Sequence, residues 1–274
     1  MQNSGFKTKI LTAIAFGLVS QYSLAALPDT LKLDYAYYAP TSLVVKEQKL
    51  LEKALPNTQI KWVFSQGSNR SLEYLNSGSV DFSSTAGLAA VLSRANGSPI
   101  KTVYIQSQPE WTALLVAKNS PIKSLKDLKG KKIAATKGTD PFLFTLQALE
   151  TAGLNKKDVQ LVHLQHPDGK TALERGQVDA WAGLDPLMAS AQVQSGAKLL
   201  YRNVGFNSYS VLSTKEQFAS QSPEAIEAVI KAYEQARKWA KANPAKLAEL
   251  LARESKLPIA VAKLQLSRTN FEQN

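Results

Sequence analysis

The pattern Leu-x-x-Gly-x-Val-Asp occurs twice in this chain, in "LNSGSVDFSST" (Leu75 to Thr85) and, 98 residues later, in "LERGQVDAWAG" (Leu173 to Gly183). In each copy a helix ends on glycine, the residue that takes a left-handed helix stop at least cost. The chain then turns straight into a strand that points at whatever lies beyond its C-terminal end. Such a unit used twice predicts two similar lobes, each built on its own sheet.

The flanking segments fit this expectation. "LKLDYAYYA" predicts a first strand, "SLVVKEQKLLEKAL" a helix ending at Pro56, "TQIKWVFS" a second strand, and "NRSLEYLNSG" a helix stopped by Gly78. "SVDFSSTA", "GLAAVLSRANG" and "IKTVYIQS" continue as strand, helix and strand. The pattern then restarts with "KKIAATK" as strand, "PFLFTLQALETAG" as helix, "VQLVHL" as strand, "DGKTALERG" as helix and "QVDAWAG" as strand. Strands alternating with helices at this spacing imply βαβ units and an α/β fold with a mostly parallel sheet in each lobe. The last part is more helical. Ser222-Pro223-Glu224 offers a capping hydroxyl, a first-turn proline and an acid near the positive helix end. That helix carries Ile226, Val229, Ile230, Tyr233 and Trp239 to a break at Pro244, and "AKLAELLARES" forms a shorter one.

The first 25 residues stand apart from the globule. "MQNSGFKTK" carries Lys7 and Lys9 with no acid, "ILTAIAFGLVS" is an apolar run, and Ser23 and Ala25 occupy small-residue positions. This is the three-part design of a secretory signal, with cleavage expected after Ala25. No other segment approaches the ~20 apolar residues of a membrane span. The chain of 274 residues contains no cysteine, which excludes disulfides, thiolate metal sites and thiol nucleophiles. A soluble protein exported to a bacterial periplasm is the expectation.

Loss of Lys7 and Lys9 takes the formal charge from +11 to +9, a surplus that raises the encounter rate with anions. The lysines are scattered, as in "SLKDLKGKK" and "RKWAKANPAK", without interleaved aromatic residues. That pattern argues against nucleic acid as a partner.

Ligands of open α/β sheets bind beyond the carboxyl ends of strands, where helix N-termini present free N–H groups. Four places qualify. Ser84 and Thr85, before the helix "GLAAVLSRANG", serve as helix cap, as anion donors, or as both. Gly138-Thr139-Asp140-Pro141 opens another helix; Asp140 as N-cap and Pro141 at the first helical position fit well, and such a cap occupies the groups an anion would use. Tyr37 and Tyr38 end the first strand, while Trp111 and Trp181 flank others; alternation turns some of these into core. Asp185-Pro186 starts a further helix, with Asp185 either a cap or an acceptor for a ligand donor. Asp81 and Asp179, within the repeat, read as structural.

Catalysis has little raw material. His163 and His166 are the only histidines and no acid cluster joins them, so no metal site and no cofactor is expected. No G-x-S-x-G, H-E-x-x-H or P-loop pattern is present.

Four blocks carry a family resemblance: "LEKALPNTQIKWVFSQGSNRSLEYLNSGSVDF", "NSPIKSLKDLKGKKIAATKGT", "QALETAGLNKKDVQLVHL" and "ALERGQVDAWAGLDP". In order and spacing they resemble the periplasmic substrate-binding proteins of ABC importers, of the aliphatic sulfonate, taurine and nitrate group. The resemblance implies a type II two-lobed binding-protein fold, with the ligand enclosed between lobes. The implied division is residues 26–114 and 206–274 for lobe 1 and 115–205 for lobe 2, with crossovers near Ala113–Ala117 and Asn203–Tyr209. It also implies a monomer that binds an organic sulfonate or sulfate ester without catalysis and delivers it to a transmembrane permease.

Carried over by position, the cleft residues are Tyr37, Tyr38 and Ser42 after the first strand, then Ser84 and Thr85 in the first lobe's anion turn. Gly138 and Thr139 take the second lobe's turn, Trp181 and Asp185 the Asp-Ala-Trp…Asp-Pro block, and Tyr209 closes the cleft at the second crossover. Tyr38, Trp111 and Trp181 would pack the organic tail. The chain departs from the pattern at Thr139-Asp140, Leu184, Ala86-Gly87 and Tyr37-Tyr38-Ala39-Pro40, and it stops at Asn274, earlier than such relatives, so part of lobe 1's packing is expected to be missing. Alternatives are another small anion or a thiamine-precursor pyrimidine as ligand, or an enzyme on the same fold.

Overall fold

The computed structural model describes residues 27–272; the proposed leader and its cleavage point after Ala25 lie outside the described residues. Lobe 1 opens with β1 (Thr30–Tyr35), α1 (Pro40–Glu47), α2 (Leu50–Ala54), β2 (Gln59–Phe64), α3 (Ser68–Ser77), β3 (Phe82–Ala86), α4 (Gly87–Ala95) and β4 (Ile100–Pro109). Lobe 2 follows as β5 (Leu114–Val116), β6 (Lys132–Ala134), α5 (Asp140–Thr151), β7 (Gln160–Val162), α6 (His166–Glu174), β8 (Ala180–Ala182), α7 (Leu187–Ser195) and β9 (Lys198–Tyr201). The chain returns to lobe 1 as β10 (Ser210–Lys215), α8 (Glu216–Gln221), α9 (Pro223–Ala242), α10 (Pro244–Ser255), α11 (Ile259–Leu266) and β11 (Thr269–Asn270).

The sheets run β11-β4-β10-β3-β1-β2 and β7-β6-β8-β5-β9. Setting β11 aside, the two orders are the same: second strand, first, third, the strand arriving from the other lobe, then the fourth. This is a two-lobed α/β binding-protein fold, but the sheets are mixed rather than mostly parallel. β1 runs parallel to β2 and β3, and β6 parallel to β7 and β8. The arriving strands, β10 and β5, run antiparallel to both neighbours. A strand that enters from the opposite lobe starts at the cleft, where the parallel strands end, so it must run back through the sheet. The first crossover occupies residues 110–113, earlier than expected, because Leu114 already pairs within lobe 2. The second occupies residues 202–209. The single helix expected over "SLVVKEQKLLEKAL" is split into α1 and α2 by Lys49, whose φ of 52° is left-handed.

Both faces of each sheet are covered by apolar layers. In lobe 1, Leu31, Leu33 and Phe82 pack under Val229, Tyr233 and Leu251 of α9 and α10. The opposite face joins Leu72, Leu75 and Val211 to Trp111 and to Leu184 of lobe 2, so this layer reaches across the cleft. In lobe 2, Ile133 and Phe144 lie in one layer, and Leu115, Leu173, Trp181 and Met188 in the other.

The repeated motif does the same work in both lobes. Gly78 (φ 76°) and Gly176 (φ 66°) stop α3 and α6, and the buried Leu75 and Val80 have counterparts in Leu173 and Val178. The motif aspartate then clips the new strand to the start of the first one. Asp81 Oδ2 accepts from Lys32 N at 2.8 Å while Asp81 N donates to Lys32 O at 2.7 Å. Asp179 repeats this on Lys132, at 2.8 and 2.9 Å.

A second carboxylate organises the cleft end of lobe 1. Asp34, fully buried on β1, accepts from Ser65 Oγ at 2.7 Å, from Ser71 Oγ, and from Ser84 N at 2.7 Å. It thus gathers the ends of β1, β2 and β3 and the start of α3. Burial pushes its pKa up to about 6 even though these donors favour the charged form.

The clip predicts unequal costs for equal changes. Asp81→Ala, which strands a part-buried N–H, lowers the unfolding free energy by about 1–3 kcal/mol, and Asp179→Ala, at an exposed site, by about 0.5–1 kcal/mol. Urea unfolding of both variants checks this, and equal losses would show that burial does not set the strength of the clip. For Asp34, a folded pKa above the ordinary 3.8 gives stability that is complete below the unfolded value and lost as pH rises through about 6. Melting curves between about pH 5 and about pH 7.5 should therefore slope less steeply in Asp34→Asn than in the parent protein. An unchanged slope would assign the titration elsewhere.

Candidate functional site

The parallel strands of both lobes end at the gap between them, and the helices that follow begin there. A cavity of about 210 Å³ occupies this gap. Tyr37, Phe64, Leu184 and Leu257 supply an apolar wall, and Ser65, Gln66, His166 and Asp185 interrupt it with polar groups. The Tyr37 and Phe64 rings lie 4.6 Å apart, which stiffens that wall. Tyr38 is held by its hydroxyl, which donates to Ser84 O at 2.8 Å, and its ring meets the Trp111 ring edge-on at 6.0 Å.

Beside the cavity the start of α3 meets the start of α6. Gly67 is the N-cap of α3 and Gln165 that of α6. The approach is tight: a Cβ on Gly67 would lie 2.8 Å from His166 Nε2 and 3.1 Å from Asn69 Oδ1. Asn69 Nδ2 donates to Gln165 Oε1 across the lobes at 3.3 Å, while its Oδ1 is buried without a hydrogen-bond partner. Gly138, with a φ of 78°, faces Asn69 from lobe 2. Thr85 is fully buried and its hydroxyl also lacks a partner. Ser68 Oγ accepts from Ala86 N at 2.9 Å, which sets Thr85 against the start of α3. Burial pushes the His166 imidazole down to about 3, so it is neutral.

Asp140 does not cap its helix. Thr139 is the N-cap, and no side chain caps this end. The Asp140 carboxylate instead accepts from Trp111 Nε1 at 3.2 Å, Ser208 N at 3.0 Å and Ser208 Oγ at 2.6 Å. Trp111 and Ser208 belong to the two crossovers, so the helix start in lobe 2 is fastened to both. Burial raises the Asp140 pKa against the pull of these donors.

Asp185 caps α7 from just before it, its Oδ1 accepting from Ala189 N at 2.8 Å. Its Oδ2 forms an ion pair with Arg268 Nε at 3.6 Å and has no hydrogen-bond partner among the described residues. Burial pushes this carboxyl up to about 6, and Arg268 opposes the shift. Arg268 is held in turn by Gln192 Oε1 at 2.8 Å, and its carbonyl accepts from Glu110 N.

The structure therefore brings Tyr37, Tyr38 and Asp185 to the cavity, while Thr85 and Gly138 lie near the start of α3 beside it. Trp111 and Asp140 sit at the joint. Other candidates go elsewhere. Ser42 donates to Ala39 O at 2.7 Å within its own turn. The Ser84 side chain faces the lobe-1 interior, near Tyr233 and Asp34. Thr139 Oγ1 donates to Thr136 O at 2.6 Å. Trp181 is 1% exposed in the lobe-2 core, its ring pressed against Gly169. Tyr209 is half-exposed, and its carbonyl accepts from Gly87 N. Sequence reasoning passed over Phe64, Gln66, Asn69 and, as a cleft residue, His166. The 98-residue offset of the repeat holds the missing signal, because it carries Ser68, first residue of α3, onto His166, first residue of α6. Among the described residues no group of three His, Cys, Asp or Glu side chains is placed to hold a metal ion.

This architecture has close counterparts. The alkanesulfonate-binding protein SsuA from Xanthomonas axonopodis pv. citri, bound to MOPS, superposes with a TM-score of 0.83 at 28% identity, over 89% of this chain and 86% of that one. The periplasmic aliphatic sulphonate binding protein SsuA from Escherichia coli gives 0.77 at 31% identity, with the same coverage. At the sequence level, a protein of Escherichia coli (strain K12) described as aliphatic sulfonates-binding is 32% identical over 247 residues, 89% of this chain and 77% of that protein. The desulfurization enzyme DSZB shares the fold alone, with a TM-score of 0.63 at 18% identity. The family model described as NMT1/THI5 like matches residues 58–247, well over half of the chain, and the chain belongs to this family of substrate-binding proteins.

Proposed function

We infer that this chain is the periplasmic receptor of an ABC importer, which captures an organic sulfonate or sulfate ester and hands it unchanged to a permease. The observation that carries this is the inter-lobe cavity: an aromatic and aliphatic wall interrupted by His166 and Asp185, each with a buried polar atom that has no hydrogen-bond partner among the described residues. The sulfonate-binding relatives support the choice of anion. An –SO₃⁻ head would accept from the Thr85 hydroxyl and from N–H groups at the helix starts beside it, and its organic tail would lie against Tyr37, Phe64 and Leu184.

Melting curves with a panel of sulfonates, sulfate esters, nitrate and a pyrimidine test this directly, since only a ligand of the folded state raises the melting temperature. Stabilisation by sulfonates or sulfate esters alone is expected, and stabilisation by nitrate or the pyrimidine alone would overturn it. Mass spectrometry of ligand recovered after prolonged incubation should return it unaltered. Thr85→Val, which removes the hydroxyl but keeps the shape, should weaken sulfonate binding about tenfold or more, the worth of one hydrogen bond to a charged group. Asp140→Ala should also weaken binding by about tenfold, without touching ligand, by loosening the joint that sets the lobes. Unchanged affinity in that variant would show that closure does not depend on the joint.

A further inference from the structure

We propose that His166 sets the specificity of the cleft: its unprotonated Nε2 accepts a hydrogen bond from the ligand's organic part, so the site is matched to a sulfonate or sulfate ester bearing a hydroxyl or ammonium group rather than a plain alkyl tail. The proposal rests on the receptor function above and names the substrate class more narrowly.

The argument begins with the tautomer. Thr136 has one hydroxyl proton, and it goes to Leu164 O at 2.7 Å. The same oxygen lies 3.1 Å from His166 Nδ1. With its proton committed, Thr136 can only accept, so Nδ1 carries the ring proton. A neutral imidazole has one N–H, which leaves Nε2 a bare acceptor. The buried ring cannot readily gain a second proton, since desolvation disfavours the cation.

That acceptor has no partner among the described residues, and His166 is 1% exposed on the cavity wall. Leaving it unmatched is costly, and only a donor recovers that cost. A sulfonate offers acceptors alone and cannot satisfy it. The second polar atom on the same wall, Asp185 Oδ2, is likewise an acceptor without a hydrogen bond, and its neighbour Arg268 lies at 3.6 Å. Gly67, having no Cβ, lets the start of α3 pack closely beside Nε2 without covering it with a side chain. The polar atoms on this wall thus ask for N–H or O–H on the ligand, at a point distinct from the hydroxyl of Thr85 that suits the anionic head.

Titration calorimetry with ethanesulfonate, 2-hydroxyethanesulfonate and 2-aminoethanesulfonate tests the idea, with the full chain and with His166→Phe. The parent protein should bind the hydroxyl or amino compound at least about tenfold tighter than ethanesulfonate, the worth of one hydrogen bond. In His166→Phe, checked for an intact melting transition, that preference, read as the ratio of affinities and so independent of any common change in sulfonate binding, should shrink to about threefold or less. Buffers of different ionisation enthalpy should show no proton uptake on binding. Equal binding of all three compounds by the parent protein, a preference that survives His166→Phe, or uptake of a proton would each overturn the proposal while leaving sulfonate recognition standing. If none of the three, nor any other sulfonate, binds, both readings fall together.

Discussion

One oxygen of Asp140 holds the two lobes in register. It accepts from Trp111 on the first crossover and from both the N–H and the hydroxyl of Ser208 on the second. The Ser208 hydroxyl in turn accepts from Leu88 N at the start of α4, at 3.1 Å. Lobe 2, both connections and lobe 1 therefore meet within a single chain of hydrogen bonds. A buried carboxylate is costly unless fully matched, and that cost makes the joint directional. Any displacement that loses one of these donors leaves Oδ2 less well matched, which favours the arrangement seen, while Oδ1 has no partner among the described residues. Glu110 and Arg202 reinforce the same hinge from its solvent side, with paired contacts at 2.7 and 2.5 Å.

Much of this fold is legible in the repeated Leu-x-x-Gly-x-Val-Asp. A helix stop, a turn and a strand start are local events, and glycine and aspartate advertise them by residue type. The common strand order of the two sheets follows from using that unit twice. What the pattern hides is the arriving strand. β10 reads "SVLSTK", with Ser210, Ser213 and Thr214 completely buried between β3 and β4. Polar residues in a central strand are invisible to any rule based on hydrophobic alternation; Thr214 Oγ1 and Ser213 Oγ find partners far away in sequence, in Asp81 O and Thr102 Oγ1. The left-handed Lys49 escaped for a similar reason: nothing in its type marks a break in "KEQKLLEK".

The site was legible in place but not in direction. Strand ends and helix starts pointed to the right gap, yet residue type cannot say which way a side chain faces. In "SSTA" the pleat turns Ser83 towards Ser71, Ser84 towards Tyr233, and leaves Thr85 beside the start of α3. Three similar hydroxyls thus have three different surroundings. Trp181 shows the same limit on a larger scale, since an indole that looks like a ligand platform is needed to fill lobe 2 against Gly169.

Charge and dipole divide the labour of anion recognition here. The chain carries a formal charge of +11, but among the described residues no lysine or arginine lines the cavity. Arg268 stands behind that wall, paired with Asp185. Surface charge acts over about a Debye length, roughly 8–10 Å, and so raises the rate of encounter with any anion. It cannot distinguish one anion from another. On the proposed reading, discrimination falls to fixed neutral groups: hydroxyls, helix-start N–H groups and a tautomer-locked imidazole, each with a single permitted role. Such groups lose little by burial when matched and penalise a wrong partner heavily when not. A receptor of the proposed kind would admit many anions to its cleft and close tightly on few of them.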